Sequence, residues 1–260
     1  MHSIPFAKAS ACGNDFLVID HAYAGADINE LTRRLCDRHN GVGADGVEWL
    51  IPSTSADIEA RLINADGSEA EVSGNGTRCV AACIVDHSGA SRIAIQTGAG
   101  IKTCELISHR ETTFEFKATM GKPEIVGELT VKTAYGETAG LRVSTGNPHF
   151  VIFVKEFEAG WQARADAMAS TSHFPQGTNV EFVKIDGRHH IDVRLYERGV
   201  GETLSSGTGS CASAVAAIHA GHCDSPVRVT TPGGTQTVEW DGEVTLTGPA
   251  TIVCTGEFFV

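Results

Sequence analysis

No stretch of this 260-residue chain stays apolar for the ~20 residues that a bilayer-crossing helix needs. The opening segment MHSIPFAKAS lacks the basic region and apolar run of a secretory signal. These absences lead us to expect a cytoplasmic protein with no membrane partner. Clusters of Lys and Arg are missing too: 20 basic residues stand against 32 acidic ones, a formal net charge of -12. A surface for phosphate backbones needs the reverse, so nucleic acid is not an expected partner and a small molecule is. No Cys-x-x-Cys pair occurs among the eight cysteines, which speaks against a zinc knuckle. Cys79 and Cys83 are spaced for one helix face, and without an export signal the thiols read as reduced and mostly core. The neighbours His189 and His190 fall on opposite faces of a strand, unsuited to a shared metal.

With 42% hydrophobic residues the chain can bury a sizeable core, and it carries an internal repeat. GNDFLVID begins at Gly13 and GNPHFVIFV at Gly146, a separation of 146 - 13 = 133. SGNGTRC begins at Ser73 and SGTGSCA at Ser206, and 206 - 73 = 133 again. The same offset pairs Gly100 with Gly233 and Asn64 with Glu197. We therefore expect two homologous halves, 1–130 and 131–260, with the last strand returning to the first half.

Periodicity fills in the halves. ADINELTRRLCDRHNG predicts a helix opened by an Asp27/Glu30 capping box and stopped near Gly41. IEARLIN, RIAIQT, HIDVRLYE and VTLTGPATIVC predict short strands, and Gly233-Gly234 and Asp241-Gly242 predict hairpins. The small-residue apolar runs after Ser73 and Ser206 predict central helices ending at Gly89 and Gly221, each sheathed by curved sheet.

A single S-G-x-G ahead of a helix reads as an N-cap with flexible glycines. Two copies in register point to a paired site, because each helix tip offers N–H groups and partial positive charge to an anion. A carboxylate held by the amides of Gly74 and Asn75 on one side, and of Gly207 and Thr208 on the other, would lie between Ser73 and Ser206. That arrangement suits inversion of a carbon centre, in which one group removes a proton from one face and another delivers a proton to the opposite face.

The segments GNDFLVID, CDRHNGVGADG, NADGSEAEVSGNGTRC, TGNPHFVI, GTNVEFV and YERGVGETLSSGTGSCA together resemble the diaminopimelate epimerase family nearly end to end. The resemblance implies an α/β (α+β) fold of two pseudo-symmetric halves, each a curved, mostly antiparallel sheet around a central helix, with the active site in the cleft between them. It implies no pyridoxal phosphate and no metal, diaminopimelate as substrate, a place in lysine and peptidoglycan-precursor biosynthesis, and a homodimer among the allowed assemblies. Substrate-binding positions carry over to Asn14, Asn64, Asn147, Asn179, Glu197 and Arg198. Arg198 with Asn64 and Asn179 would hold the distant carboxylate, while Asn14 and Asn147 would flank the reacting centre. His149 and Glu197 carry over as the residues that tune the acid/base pair.

The departure lies in that pair. Where the family has two catalytic cysteines, this chain has Ser73 and Ser206, and an alcohol is far less acidic than a thiol. Cys79 and Cys211 are helix residues of the motif and do not take the role over. Three readings follow: an epimerase working through serine relays, a substrate-binding homologue with weak turnover, and a superfamily relative carrying out racemisation or dehydration of another amino acid.

Overall fold

A computed structural model describes residues 3–260, and these form two compact units. The first comprises the chain up to Thr119 together with Gly248–Val260; the second is Met120–Thr247. The repeat in the sequence put the join near 130. It falls earlier because the Met120 side chain is buried in the second unit's core with Leu141, Val143 and Leu246, and because the strand that follows pairs forward within that unit.

The first unit holds β1 (Ser3–Ala11), β2 (Asn14–Asp20), α1 (Ile28–Cys36), β3 (Gly46–Ile51), β4 (Ile58–Asn64), β5 (Glu69–Ala70), α2 (Gly74–Ser88), β6 (Arg92–Thr97), β7 (Gly100–Arg110) and β8 (Thr113–Gly121, its last two residues in the second unit). The second holds β9 (Glu124–Thr133), β10 (Gly136–Ser144), β11 (Pro148–Val154), α3 (Trp161–Ala169), β12 (Asn179–Gly187), β13 (His190–Glu197), β14 (Gly201–Thr203), α4 (Gly207–His219), β15 (Val227–Thr231) and β16 (Gly234–Asp241). The final strand, β17 (Glu243–Phe259), pairs with β16 through Thr247 and with β1 from Thr251 onward. Serving both units in turn makes it far longer than the short strands expected.

In the first unit, pairing runs from β1 through β2, β3, β4, β6, β7 and β8 to β17 and back to β1, so the sheet closes around α2. Closure leaves α2 sheathed, and its small residues Ala81 and Ala82 let the strands approach. Phe16 and Val18 of β2 face this helix, whereas Leu17 and Ile19 face outward into a second core capped by α1. Strands covered on both faces explain the unbroken apolar runs. The second unit repeats the scheme: Val151 and Val183 pack with α4, and Phe150, Ile152 and Phe182 pack with α3.

The repeat is kept at the level of register. Phe16 lies opposite Gly46 in the parallel pair β2–β3, and His149 lies opposite Asn179 in β11–β12, where 149 - 16 = 133 and 179 - 46 = 133. Helix α3, unread in the sequence, begins 161 - 28 = 133 residues after α1. It lacked a start signal, since its N-cap is Gly160 with no side-chain cap. Helix α1 stops at Cys36 rather than near Gly41, because the Asp37 carboxylate accepts from the N–H groups of His39 and Asn40 and turns the chain. Its capping box is half formed: Asp27 accepts from the Glu30 N–H, but the Glu30 carboxylate pairs with Arg33. Among the described residues no helix is long and apolar enough to cross a membrane.

Candidate active site

In the first unit Ser73 caps α2, its Oγ accepting from the Gly76 N–H at 3.0 Å and its carbonyl from the Thr77 N–H at 2.8 Å. Gly74 and Asn75 are the first two helical residues, so their N–H groups have no acceptor within the helix. The Gly-Asn turn needs a positive φ at Gly13, 80°, and delivers Asn14 to the start of β2. The Asn14 Oδ1 accepts from Asn75 Nδ2 at 3.5 Å. Asn64, at the end of β4, instead donates to the Ser68 hydroxyl and sits opposite Gly46.

The second unit builds the corresponding tip with other groups. Ser206 caps α4, accepting from the Gly209 N–H at 3.2 Å, and its Oγ lies 3.4 Å from the Thr208 hydroxyl. Asn147 donates to that hydroxyl at 3.4 Å, and its Oδ1 lies 2.8 Å from His149 Nε2. His149 Nδ1 is 2.6 Å from Glu181 Oε1, with both side chains sealed from solvent. Burial raises the Glu181 carboxyl above the usual carboxylate range, against the pull of His149. Beside this chain of contacts, Asn179 accepts from the Arg198 backbone N–H at 2.9 Å and donates to the Pro148 carbonyl at 3.0 Å. Glu197 accepts from the Thr203 hydroxyl at 2.8 Å.

Each unit thus presents a serine-capped helix tip flanked by asparagines. A family model described as Diaminopimelate epimerase matches residues 6–126 and 141–253. The chain belongs to the diaminopimelate epimerase family. The diaminopimelate epimerase of Elusimicrobium minutum is 39% identical over 274 aligned positions, covering 97% of this chain and 98% of its own length. That of Desulfitobacterium hafniense is 38% identical over 272, covering 96% of each. Among solved structures, a hydroxyproline epimerase from Agrobacterium vitis superposes with a TM-score of 0.80 at 16% identity, covering 99% of this chain and 91% of that one. A predicted epimerase from Pseudomonas aeruginosa does so with a TM-score of 0.74 at 16% identity, covering 99% of both. These two likenesses establish the fold, the mixed and sheet-dominated architecture of the epimerases.

Three residues of this family member went unread in its sequence. Two of them are Glu48 and Glu181: 181 - 48 = 133, and each occupies the helix-facing side of its strand, between residues that face the outer core. Glu48 is 3% exposed and burial pushes its carboxyl up to about 8, so it carries its proton at neutral pH. The offset could have paired the two glutamates, but a charged residue inside an apolar strand gives no sequence signal of its own. The third, Arg78, is fully buried on α2. None of the eight cysteines is in a disulfide, and seven of them are buried. Burial holds the Cys79 thiol well above its ordinary value, which keeps it from acting as a base.

Glu48 also explains the second glycine of the first motif. A Cβ at Gly76 would lie 2.0 Å from Glu48 Oε1, whereas one at Gly89 meets nothing within 4 Å despite a φ of +68°. Gly76→Ala is therefore expected to cost roughly 3 kcal/mol or more, and Gly89→Ala roughly 1 kcal/mol. Urea unfolding of the two variants measures the gap; equal losses would show that the Glu48 carboxyl yields at no cost.

Proposed function

We propose that this chain is a cofactor-independent isomerase that binds diaminopimelate and interconverts its LL and meso forms, with turnover limited by serine at both acid/base positions. The reading is carried by the pair of capped helix tips, Ser73-Gly74-Asn75 and Ser206-Gly207-Thr208, duplicated in register within a member of the diaminopimelate epimerase family. The amides of Gly74, Asn75, Gly207 and Thr208 hold the carboxylate next to the reacting carbon and stabilise the charge that flows into it as the proton leaves, an effect of typically ~3 kcal/mol per donor. Arg198, Asn64 and Asn179 hold the distant carboxylate, and Asn14 and Asn147 flank the reacting centre. Ser73 and Ser206 occupy the positions that take a proton from one face and return one to the other, with Glu197 and His149 as the groups that tune them.

Slow turnover has a specific support. Both ring nitrogens of His149 are engaged, Nε2 with Asn147 and Nδ1 with Glu181, and among the described residues the contacts from Ser206 reach the ring through Thr208 and Asn147. An alcohol without a base in direct contact is a weak proton acceptor.

Incubation with LL- or meso-diaminopimelate in heavy water tests the reading. Binding at micromolar to millimolar concentration, with slow deuterium uptake at the α carbon and slow isomer interconversion, is expected. Absence of both binding and exchange would remove diaminopimelate as the substrate and turn attention to racemisation or dehydration of another amino acid.

A further inference from the structure

The asparagine pair of the first unit lies within a polar chain that begins and ends on charged groups. Arg78 Nη2 donates to Asn75 Oδ1 at 2.8 Å, Asn75 Nδ2 donates to Asn14 Oδ1 at 3.5 Å, and Asn14 Nδ2 donates to Asp45 Oδ2 at 2.5 Å. Asp45 is ion-paired through its other oxygen with Arg38 at 2.8 Å. A guanidinium has no acceptor and an ion-paired carboxylate has no donor. Hence Asn75 must turn its oxygen to Arg78 and Asn14 must turn its NH2 to Asp45. Neither amide can invert without setting donor against donor at one end of the chain, or acceptor against acceptor at the other.

Arg78 has little else to do. It is buried completely, and its remaining bonds run to the carbonyls of Gly74 at 2.9 Å and Pro249 at 3.3 Å, with no carboxylate at ion-pair distance among the described residues. A charge held in that way is costly unless its field or its donors are used. The positions that match Arg78 and Asp45 in the second unit are Cys211 and Thr178, since 211 - 78 = 133 and 178 - 45 = 133, and neither is charged. There Asn147 is oriented by the Thr208 hydroxyl and the His149 ring, groups that can each donate or accept.

We infer that Arg78 and Asp45 are positioning residues that lock the asparagine amides of the first unit in one direction, fixing which end of Asn14 the substrate meets, while the second unit leaves its asparagine reversible. The inference rests on the reading that Asn14 contacts diaminopimelate.

The test is a double-mutant cycle read as the calorimetric Kd for meso-diaminopimelate. Asp45 is 40% exposed in its side chain, so Asp45→Asn is suited to fold. It sets a donor either against Asn14 and the Asp15 N–H, which also reaches Oδ2 at 3.1 Å, or against Arg38, and in both orientations Asn14 loses its charged acceptor, so binding is expected to weaken about tenfold. In an Asn14→Ala background the same exchange should have a much smaller effect, because the other contacts of Asp45, with the Asp15 N–H at 3.1 Å and with Arg38, do not orient that amide. Arg78→Lys, which keeps the charge but loses the fork that spans Gly74 and Asn75, should weaken binding in the same direction. An Asp45→Asn effect of equal size in both backgrounds, or none in the first, would overturn the lock and leave the substrate assignment standing. An Asn14→Ala variant that binds as tightly as the parent would overturn the assignment, and the lock with it.

Discussion

Exchanging Ser73 and Ser206 for cysteine together is expected to raise the interconversion of LL- and meso-diaminopimelate by about 10³-fold or more, the scale of general acid/base catalysis. Each serine Oγ already receives a helix-tip N–H, from Gly76 at 3.0 Å and from Gly209 at 3.2 Å. A thiol there, ordinarily near 8.5, would be drawn into the thiolate range by the same N–H and by the positive end of the helix. The alcohol accepts the same hydrogen bond without becoming a base. The two single exchanges should behave differently from the double one. With one thiol, a substrate of the matching handedness can lose and regain its proton on one face, so deuterium enters without inversion. Inversion needs a second group on the opposite face. Rates of solvent exchange and of isomer formation, measured side by side for the three variants, separate these outcomes. A double variant that binds diaminopimelate and stays inert would show that the acid/base pair lies elsewhere.

The second large effect concerns stability. Glu48 is held at about 8 by burial, against 4.5 in the open chain. The folded protein therefore keeps a proton that the unfolded chain has already lost, so stability falls as pH rises from about 4.5 to about 8 and levels off above that. The accumulated loss is up to roughly 4 kcal/mol. Glu48→Gln matches the shape of the neutral acid without titrating. Its unfolding free energy should lie near the parent's at pH 5 and rise above it by that amount at pH 8.5. Glu181 is also raised by burial, and it contributes equally to both proteins, so their difference isolates Glu48. Parallel pH profiles for the two would mean that Glu48 ionises inside the fold.

Much of this was written in the chain. The offset of 133 appears in Gly13 and Gly146, in Ser73 and Ser206, and again in the pairing register of Phe16 with Gly46 and His149 with Asn179. The strands Ile58–Asn64, Arg92–Thr97 and His190–Glu197 coincide with alternating runs, because a half-buried strand must show its two faces in order. The hairpins at Gly233 and Gly242 follow from turn chemistry alone. Helix α3 escaped notice for want of a capping side chain, and the join between units was misplaced because Met120 is ordinary as a residue and decisive only as a contact.

By itself the sequence determined the duplication, the serine-capped helix tips and the family, since each is a matter of residue type at a fixed spacing. Tertiary structure alone decided that Glu48 keeps its proton, that His149 is shared between Asn147 and Glu181, and that Arg78 and Asp45 set the direction of two amides between them. The reason is that desolvation and hydrogen-bond direction depend on which groups surround an atom. Here those groups come from positions 31 and 61 residues apart in the chain, a distance no local pattern records.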